Sequence, residues 1–90
     1  MTFTVVWTTS ALTMIRSLRA EDQHGASVVV RAVNALAHEP RPVGSQPLGG
    51  TAYRRLRLGV YRVLYRVDEA SSAIVISTVG RTPPAREPDE

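Results

Sequence analysis

The chain opens with alternating apolar and polar positions and continues with apolar positions at helical spacing. Residues 3 to 7 alternate and are rich in β-branched side chains, which predicts a strand with its large side chains on one face. Between residues 10 and 19 the apolar positions recur with a helical period, and Thr8 is a suitable N-cap for that segment. The pattern therefore predicts a strand followed by a helix.

A second helical stripe follows a polar break at residues 20 to 25 and ends at Pro40, whose ring cannot continue a helix. Asp22 is a candidate cap for it. Three consecutive valines at residues 28 to 30 would also suit a strand. The apolar positions continue at helical spacing as far as Leu36, however, and this periodicity outweighs propensity. We expect a second helix.

The second half of the chain has the pattern of a β-meander. Residues 40 to 50 are rich in proline and glycine and are predicted to hold no regular element, with Leu48 as an apolar contact to the core. Strands are then predicted at residues 53–58, 60–67 and 73–79. The order βααβββ predicts an α+β fold, with two helices on an antiparallel-dominated sheet.

Length and composition limit the possible classes of protein. Ninety residues support one domain with a modest core, which we place at residues 1–82, and the proline- and acid-rich residues 83–90 are expected to form a flexible tail. There is no cysteine and there are two histidines, so we expect no metal site and no cofactor. Because no apolar run reaches the roughly 18 to 20 residues of a membrane span, we expect a cytoplasmic protein without a membrane partner.

The distribution of charged residues along the chain narrows the possible ligands. All eleven basic residues are arginine, a bias that fits a GC-rich genome as well as guanidinium chemistry. Six of them lie between Pro40 and Val67, where there is no acidic residue. Guanidinium is planar, permanently charged and matches phosphate oxygens two at a time. The pattern therefore favours an anion site on a sheet, with nucleic acid as the leading ligand.

The strand period of two sorts these side chains by face. On the first basic strand Tyr53, Arg55 and Arg57 share one face. On the next strand Arg62 and Arg66 lie opposite the apolar side chains that suit the core. We therefore expect Arg62 to join Arg55 and Arg57 if the hairpin register allows it.

Two segments resemble the RelE/ParE family of bacterial toxins. They are residues 53–65, with Gly59-Val60-Tyr61-Arg62-Val63-Leu64-Tyr65 as the specific part, and residues 74–81, and the likeness extends over most of the chain. In the RelE branch the toxin enters the ribosomal A site and cuts messenger RNA, and in the ParE branch it poisons DNA gyrase. The short predicted helices are more similar to the RelE branch. The resemblance thus implies a RelE-like fold and a ribosome-dependent mRNA endonuclease, with a gyrase inhibitor as the alternative.

The resemblance also implies residue roles. In the RelE branch the ribose 2′-hydroxyl attacks the neighbouring phosphate without a metal, and the matching positions give catalytic roles to Arg55, Arg57, Arg62 and Arg81. RNA-binding roles are expected for Tyr53, which could stack on a base, and for Arg54, Arg66 and Arg86. Simpler interpretations stay open: Arg54 and Arg66 as solvated edge charges, and Arg62 as the partner of Asp68 or Glu69.

The chain departs from the family pattern in two ways. It has no lysine, and no tyrosine follows the last strand, so a general acid or base is not evident, because arginine keeps its proton above about pH 12. Slow cleavage by positioning alone, a substitute role for Arg86, and an impaired toxin that mainly binds its antitoxin are all open. In each case the expected partner is an acidic, partly disordered antitoxin, with the ribosome and mRNA as further partners of an active toxin.

Overall fold

The computed structural model describes residues 2–81, which form two helices and five strands. The elements are β1 (Thr4–Trp7), α1 (Thr9–Glu21), α2 (Gln23–Ala35), β2 (Ser45–Pro47), β3 (Tyr53–Leu58), β4 (Tyr61–Asp68) and β5 (Ala73–Arg81). The predicted α+β class and order of elements are confirmed, with one strand added. The expected tail at residues 83–90 lies outside the described residues.

The strands form one mixed sheet in the order β1-β5-β4-β3-β2. β1 pairs with β5 in parallel, and every other pair is antiparallel. Both helices pack on one face of this sheet, where their buried side chains meet those of β3, β4 and β5. The largest fully buried side chains are Tyr65, Leu36, Ile74, Ile76, Val29, Val33 and Val63. The opposite face is left without helices over the described part of the chain, and it carries four of the six arginines that lie on strands.

The helical hairpin is tighter than the polar break at residues 20 to 25 suggests. Thr8 caps α1 as predicted, because its side chain accepts a hydrogen bond from the Ala11 amide. A single residue, Asp22, then separates the helices, and its carboxylate accepts from the Gly25 amide at 2.8 Å. Polar residues on both sides of Asp22 are absorbed into helix ends, where exposed side chains are tolerated.

The prediction of no regular element at residues 40 to 50 is wrong in one place, because β2 lies there. Its two ends differ: Ser45 is buried, whereas Pro47 is exposed at the sheet edge, where a missing amide donor costs no ladder bond. Leu48 is half-buried, and its amide donates to the Tyr53 carbonyl. The connector thus supplies the outermost strand of the sheet.

The β3–β4 hairpin turns through two residues, Gly59 and Val60. Gly59 has a φ of +64°, a left-handed conformation that glycine adopts without steric cost. This turn fixes the β3–β4 register on which the basic face depends. Within residues 2–81, neither helix is long and apolar enough to cross a membrane.

Candidate functional site

The β3–β4 register brings arginines together on the face of the sheet away from the helices. Arg57 lies opposite Arg62, Arg55 opposite Leu64, and Tyr53 opposite Arg66. Directly paired residues of antiparallel strands share a face, so these side chains form one surface, which we call the arginine face. The expectation that Arg62 joins Arg55 and Arg57 is confirmed.

Arg57 and Arg62 form the most exposed part of this face. Both are exposed, and neither has a carboxylate partner among residues 2–81. Like charges placed directly opposite each other on a sheet are destabilising. Two guanidinium groups that start from paired positions on one face can bind an anion together, and the anion would relieve their repulsion.

Arg55 lies one row further along the same face and is half-buried. Its Nε atom is buried and has no hydrogen-bond partner in the part of the chain that the structure describes. Leaving such a donor unsatisfied costs about 1 to 3 kcal/mol.

The carboxylates at the far end of β4 do not reach Arg62. Asp68 pairs with Arg66 at 3.5 Å, and Glu69 pairs with Arg41 at 2.8 Å. Hydrogen bonds from Ser71, followed by the contact with Arg66, hold the pKa of Asp68 below its ordinary value. The alternative interpretation of Arg62 as the partner of Asp68 or Glu69 is therefore wrong.

Arg54 lies on the opposite face and is used by the fold. Its Nη2 atom donates to Ser45 Oγ at 2.9 Å, and its Nε atom donates to the same oxygen at 3.2 Å. These bonds fasten β2 to β3. Arg54 is thus not part of the arginine face, and its predicted contact with RNA has no geometric support.

Arg81 is also separated from the arginine face, because the β4–β5 register pairs it with Tyr61 on the helix side. Its guanidinium carbon lies 5.8 Å from the centroid of the Tyr61 ring. The Tyr61 hydroxyl donates to the Asp22 carboxylate, which raises the pKa of Tyr61 and lowers that of Asp22. Arg86 lies outside the described residues.

Two features of this region were missed by reasoning from the sequence. Gln46 lies opposite Arg55 on the neighbouring strand β2, and the Asp22–Tyr61 hydrogen bond joins the helical hairpin to the start of β4. The alternation rule could have placed Gln46 only if a strand had been recognised among the prolines. Within residues 2–81, no group of three acidic or histidine side chains is arranged to hold a metal ion.

Comparison with known proteins gives a consistent result. A family model described as the ParE toxin of the type II toxin-antitoxin system parDE matches residues 5–82. The chain belongs to the RelE/ParE family of toxins. A comparison with curated protein sequences gives no significant match. The family resemblance of residues 53–65 and 74–81 is thereby confirmed.

Solved structures of RelE/ParE toxins support this assignment. The RelBE2 toxin-antitoxin complex of Mycobacterium tuberculosis matches with 30% identity and a TM-score of 0.74, covering 90% of this chain and 99% of that one. The archaeal RelE–RelB complex of Pyrococcus horikoshii OT3 matches with 26% identity and a TM-score of 0.78, covering 94% and 100%. The isolated RelE toxin of E. coli, at 16% identity and a TM-score of 0.78, covers 93% and 88% and shows the shared fold alone.

Proposed function

We propose that this RelE/ParE toxin is a ribosome-dependent endonuclease that cuts messenger RNA without a metal ion. The observation that carries the proposal is the cross-strand pair of Arg57 and Arg62, both exposed and without a carboxylate among the described residues. Counting Arg55, three guanidinium groups on this face have no carboxylate partner among the described residues, and they suit a phosphodiester better than a neutral ligand.

In the proposed reaction the ribose 2′-hydroxyl attacks the adjacent phosphorus, and the bond from phosphorus to the 5′-oxygen breaks. Negative charge grows on the phosphoryl oxygens as the new bond forms. Arg57 and Arg62 donate to these oxygens, and a donor aimed at developing charge can contribute about 3 to 4 kcal/mol. Arg55 adds a third positive charge to the same face, one row from Arg57.

Proton transfer is not assigned to the arginines, because a guanidinium group is a poor general base. Tyr53 lies on the same face, two residues from Arg55, and in this proposal its ring stacks on a base. The arginine face thus supplies charge stabilisation and positioning, and in this proposal the ribosome orients the RNA. Arg81 stays a candidate catalytic residue, although its side chain lies on the other face of the sheet.

An antitoxin that is acidic and partly disordered is the proposed partner of this toxin in the cytoplasm. The M. tuberculosis and P. horikoshii relatives are both described as complexes with an antitoxin. The arginine face offers the charge for such a chain. An apolar groove of about 250 Å³ between α2 and β3, lined by Ala32, Ala35, Leu36 and Leu58 among others, offers the apolar contact.

Primer extension on a transcript during induced expression tests the nuclease. The native protein should produce new 5′ ends within translated regions, and Arg62→Ala should reduce them about 100-fold or more, because one oxyanion-type donor is removed. Arg19→Ala is the matched control, since Arg19 is equally charged and exposed but lies on α1. Equal cleavage by native protein and Arg62→Ala would rule out the proposed site.

Inhibition of DNA gyrase is a second candidate, favoured by one observation: the family model that matches is that of ParE toxins. In that case the arginine face would contact protein or DNA, and this chain would cut no bond. Expression should then induce DNA-damage signalling while transcripts stay intact. Intact transcripts combined with no DNA damage and tight antitoxin binding would instead identify an impaired toxin.

A further inference from the structure

The short strand β2 adds one neutral polar side chain to the arginine face. Gln46 is the Cα partner of Arg55 and therefore shares its face, whereas Ser45 and Pro47 pair with Leu56 and Arg54 on the helix side. Gln46 is exposed. Strands that pair in a sheet lie about 4.8 Å apart, so the side chains of Gln46 and Arg55 leave the sheet from neighbouring positions on the same face.

The backbone that carries Gln46 is fastened on both sides. Before it, the amide and the hydroxyl of Ser45 each donate to the Pro42 carbonyl at 2.9 Å. Arg54 holds the same hydroxyl from β3. After it, the proline ring fixes the backbone at residue 47. This support fixes the point at which the Gln46 side chain leaves the sheet, so the base that it contacts is set by its place on β2.

The chemistry of Gln46 differs from that of the arginines around it. A guanidinium binds phosphates of any nucleotide and so carries no sequence information. A glutamine amide presents a donor and an acceptor side by side, which is the arrangement found on the edge of a nucleic-acid base. Within residues 2–81 the Gln46 amide has no hydrogen-bond partner that would compete with a base.

Resting on the proposed nuclease function, we propose that Gln46 is a specificity-determining residue that reads the edge of one base beside the cleaved phosphate. Arg55 holds the backbone of that nucleotide. Tyr53, on the same face and about 7 Å along β3 from Arg55, provides the surface on which a base stacks. Gln46 selects the base, and the arginines act on every substrate alike.

The test compares cleavage sites produced by native protein and by Gln46→Met, which keeps the bulk of the side chain and removes the amide. Primer extension over several transcripts gives the ratio of cleavage at favoured and disfavoured bases. We expect this ratio to fall about tenfold in Gln46→Met, through lost cleavage at the favoured base, while cleavage at disfavoured bases stays near the native amount. Gln23→Met is the matched control, because Gln23 is an exposed glutamine at the start of α2.

An unchanged base ratio in Gln46→Met would overturn the inference and leave the nuclease proposal intact. Equal loss of cleavage at all sites would also overturn it, since Gln46 would then support a step common to every substrate. If the native protein cuts no transcript, the proposed nuclease function is wrong, and the role of Gln46 in it is then wrong as well. A ratio that collapses in Gln46→Met and survives in Gln23→Met supports the inference.

Discussion

At the scale of single residues, the pairing of Arg57 with Arg62 opposes stability. Both side chains are charged at any pH at which the protein folds, and they face each other across β3 and β4. Replacing one of them should therefore stabilise the free protein while removing part of the anion site. Higher stability together with weaker anion binding is expected where a charge serves ligand binding and not the fold.

We predict that Arg62→Thr raises the free energy of unfolding by about 0.5 kcal/mol, because it removes a cross-strand repulsion and places a β-branched residue in a strand. The melting temperature should rise by about 2 to 4 °C. Thermal denaturation at low ionic strength measures this change. The gain should shrink as salt is added, since exposed charges are screened.

The double variant provides the control for this prediction. Arg57→Thr should give a similar gain, and the two changes together should give less than the sum, because either one removes the same repulsion. A lower melting temperature in both single variants would show that the two guanidinium groups do not repel each other in the folded protein.

At the scale of elements, the hydrogen bond from Tyr61 to Asp22 ties the helical hairpin to the start of β4. Gly25 lies so close to both side chains that a Cβ atom there would overlap the Tyr61 hydroxyl and the Asp22 carboxylate. The bonds from Tyr61 and from the Gly25 amide lower the pKa of Asp22 below its ordinary value of 3.8. The folded chain therefore binds this proton less readily than the unfolded chain does.

This difference sets a direction for the pH dependence. The contribution of Asp22 to stability is complete above about pH 5 and is lost as the pH falls through the lowered pKa. We predict that Asp22→Asn, which can still cap α2, unfolds with a weaker dependence on pH between about 5 and 2. Urea denaturation at a series of pH values measures how the free energy of unfolding depends on pH. Tyr61→Phe should weaken the dependence in the same direction, and native-like slopes in both variants would contradict the prediction.

The elements that follow from local pattern could be predicted from the sequence, and those that depend on pairing could not. Thr8 and Asp22 cap their helices because capping is a local property of the chain. β2 was missed because the prolines and glycines in and around it argue against a strand, whereas a hydrogen bond from Arg54 on β3 to Ser45 holds it in place. Strand propensity is a property of single residues, so it gives no information about this contact between two segments.

The residues of the candidate site divide in the same way, into those that local pattern predicts and those that depend on strand pairing. The arginine face follows from strict alternation in β3 and β4, which run without interruption from Tyr53 to Leu58 and from Tyr61 to Leu64. The face on which Arg81 lies could not be predicted by the same alternation, because β5 contains an irregularity. Ile76 pairs with Tyr65 and Thr78 pairs with Leu64, so one extra residue of β5 lies between these two pairs. A bulge of one residue reverses every later side chain, and this turns Arg81 toward the helices.

At the scale of the whole molecule, charge is segregated more strongly than the formal net charge of +3 indicates. The carboxylates of Asp68 and Glu69 neutralise Arg66 and Arg41 at one end of the sheet. The Asp22 carboxylate is occupied on the helix side by Tyr61 and Gly25. Arg55, Arg57 and Arg62 are left without an ion-pair partner within residues 2–81, and they set the number of phosphates that the face can neutralise.

That number predicts how binding depends on salt. Each phosphate contact to a single strand contributes about 0.7 to the slope of log K against log salt concentration, so three arginines give a slope near −2. We expect fluorescence anisotropy with a 12-nucleotide single-stranded RNA to show this slope for native protein, and Arg62→Ala to reduce its magnitude by about 0.7. Arg19→Ala should leave the slope unchanged, because Arg19 lies on α1, away from the arginine face. A slope near zero for native protein would mean that its arginines do not contact phosphate, and neither cleavage by charge stabilisation nor base reading beside Arg55 could then be retained.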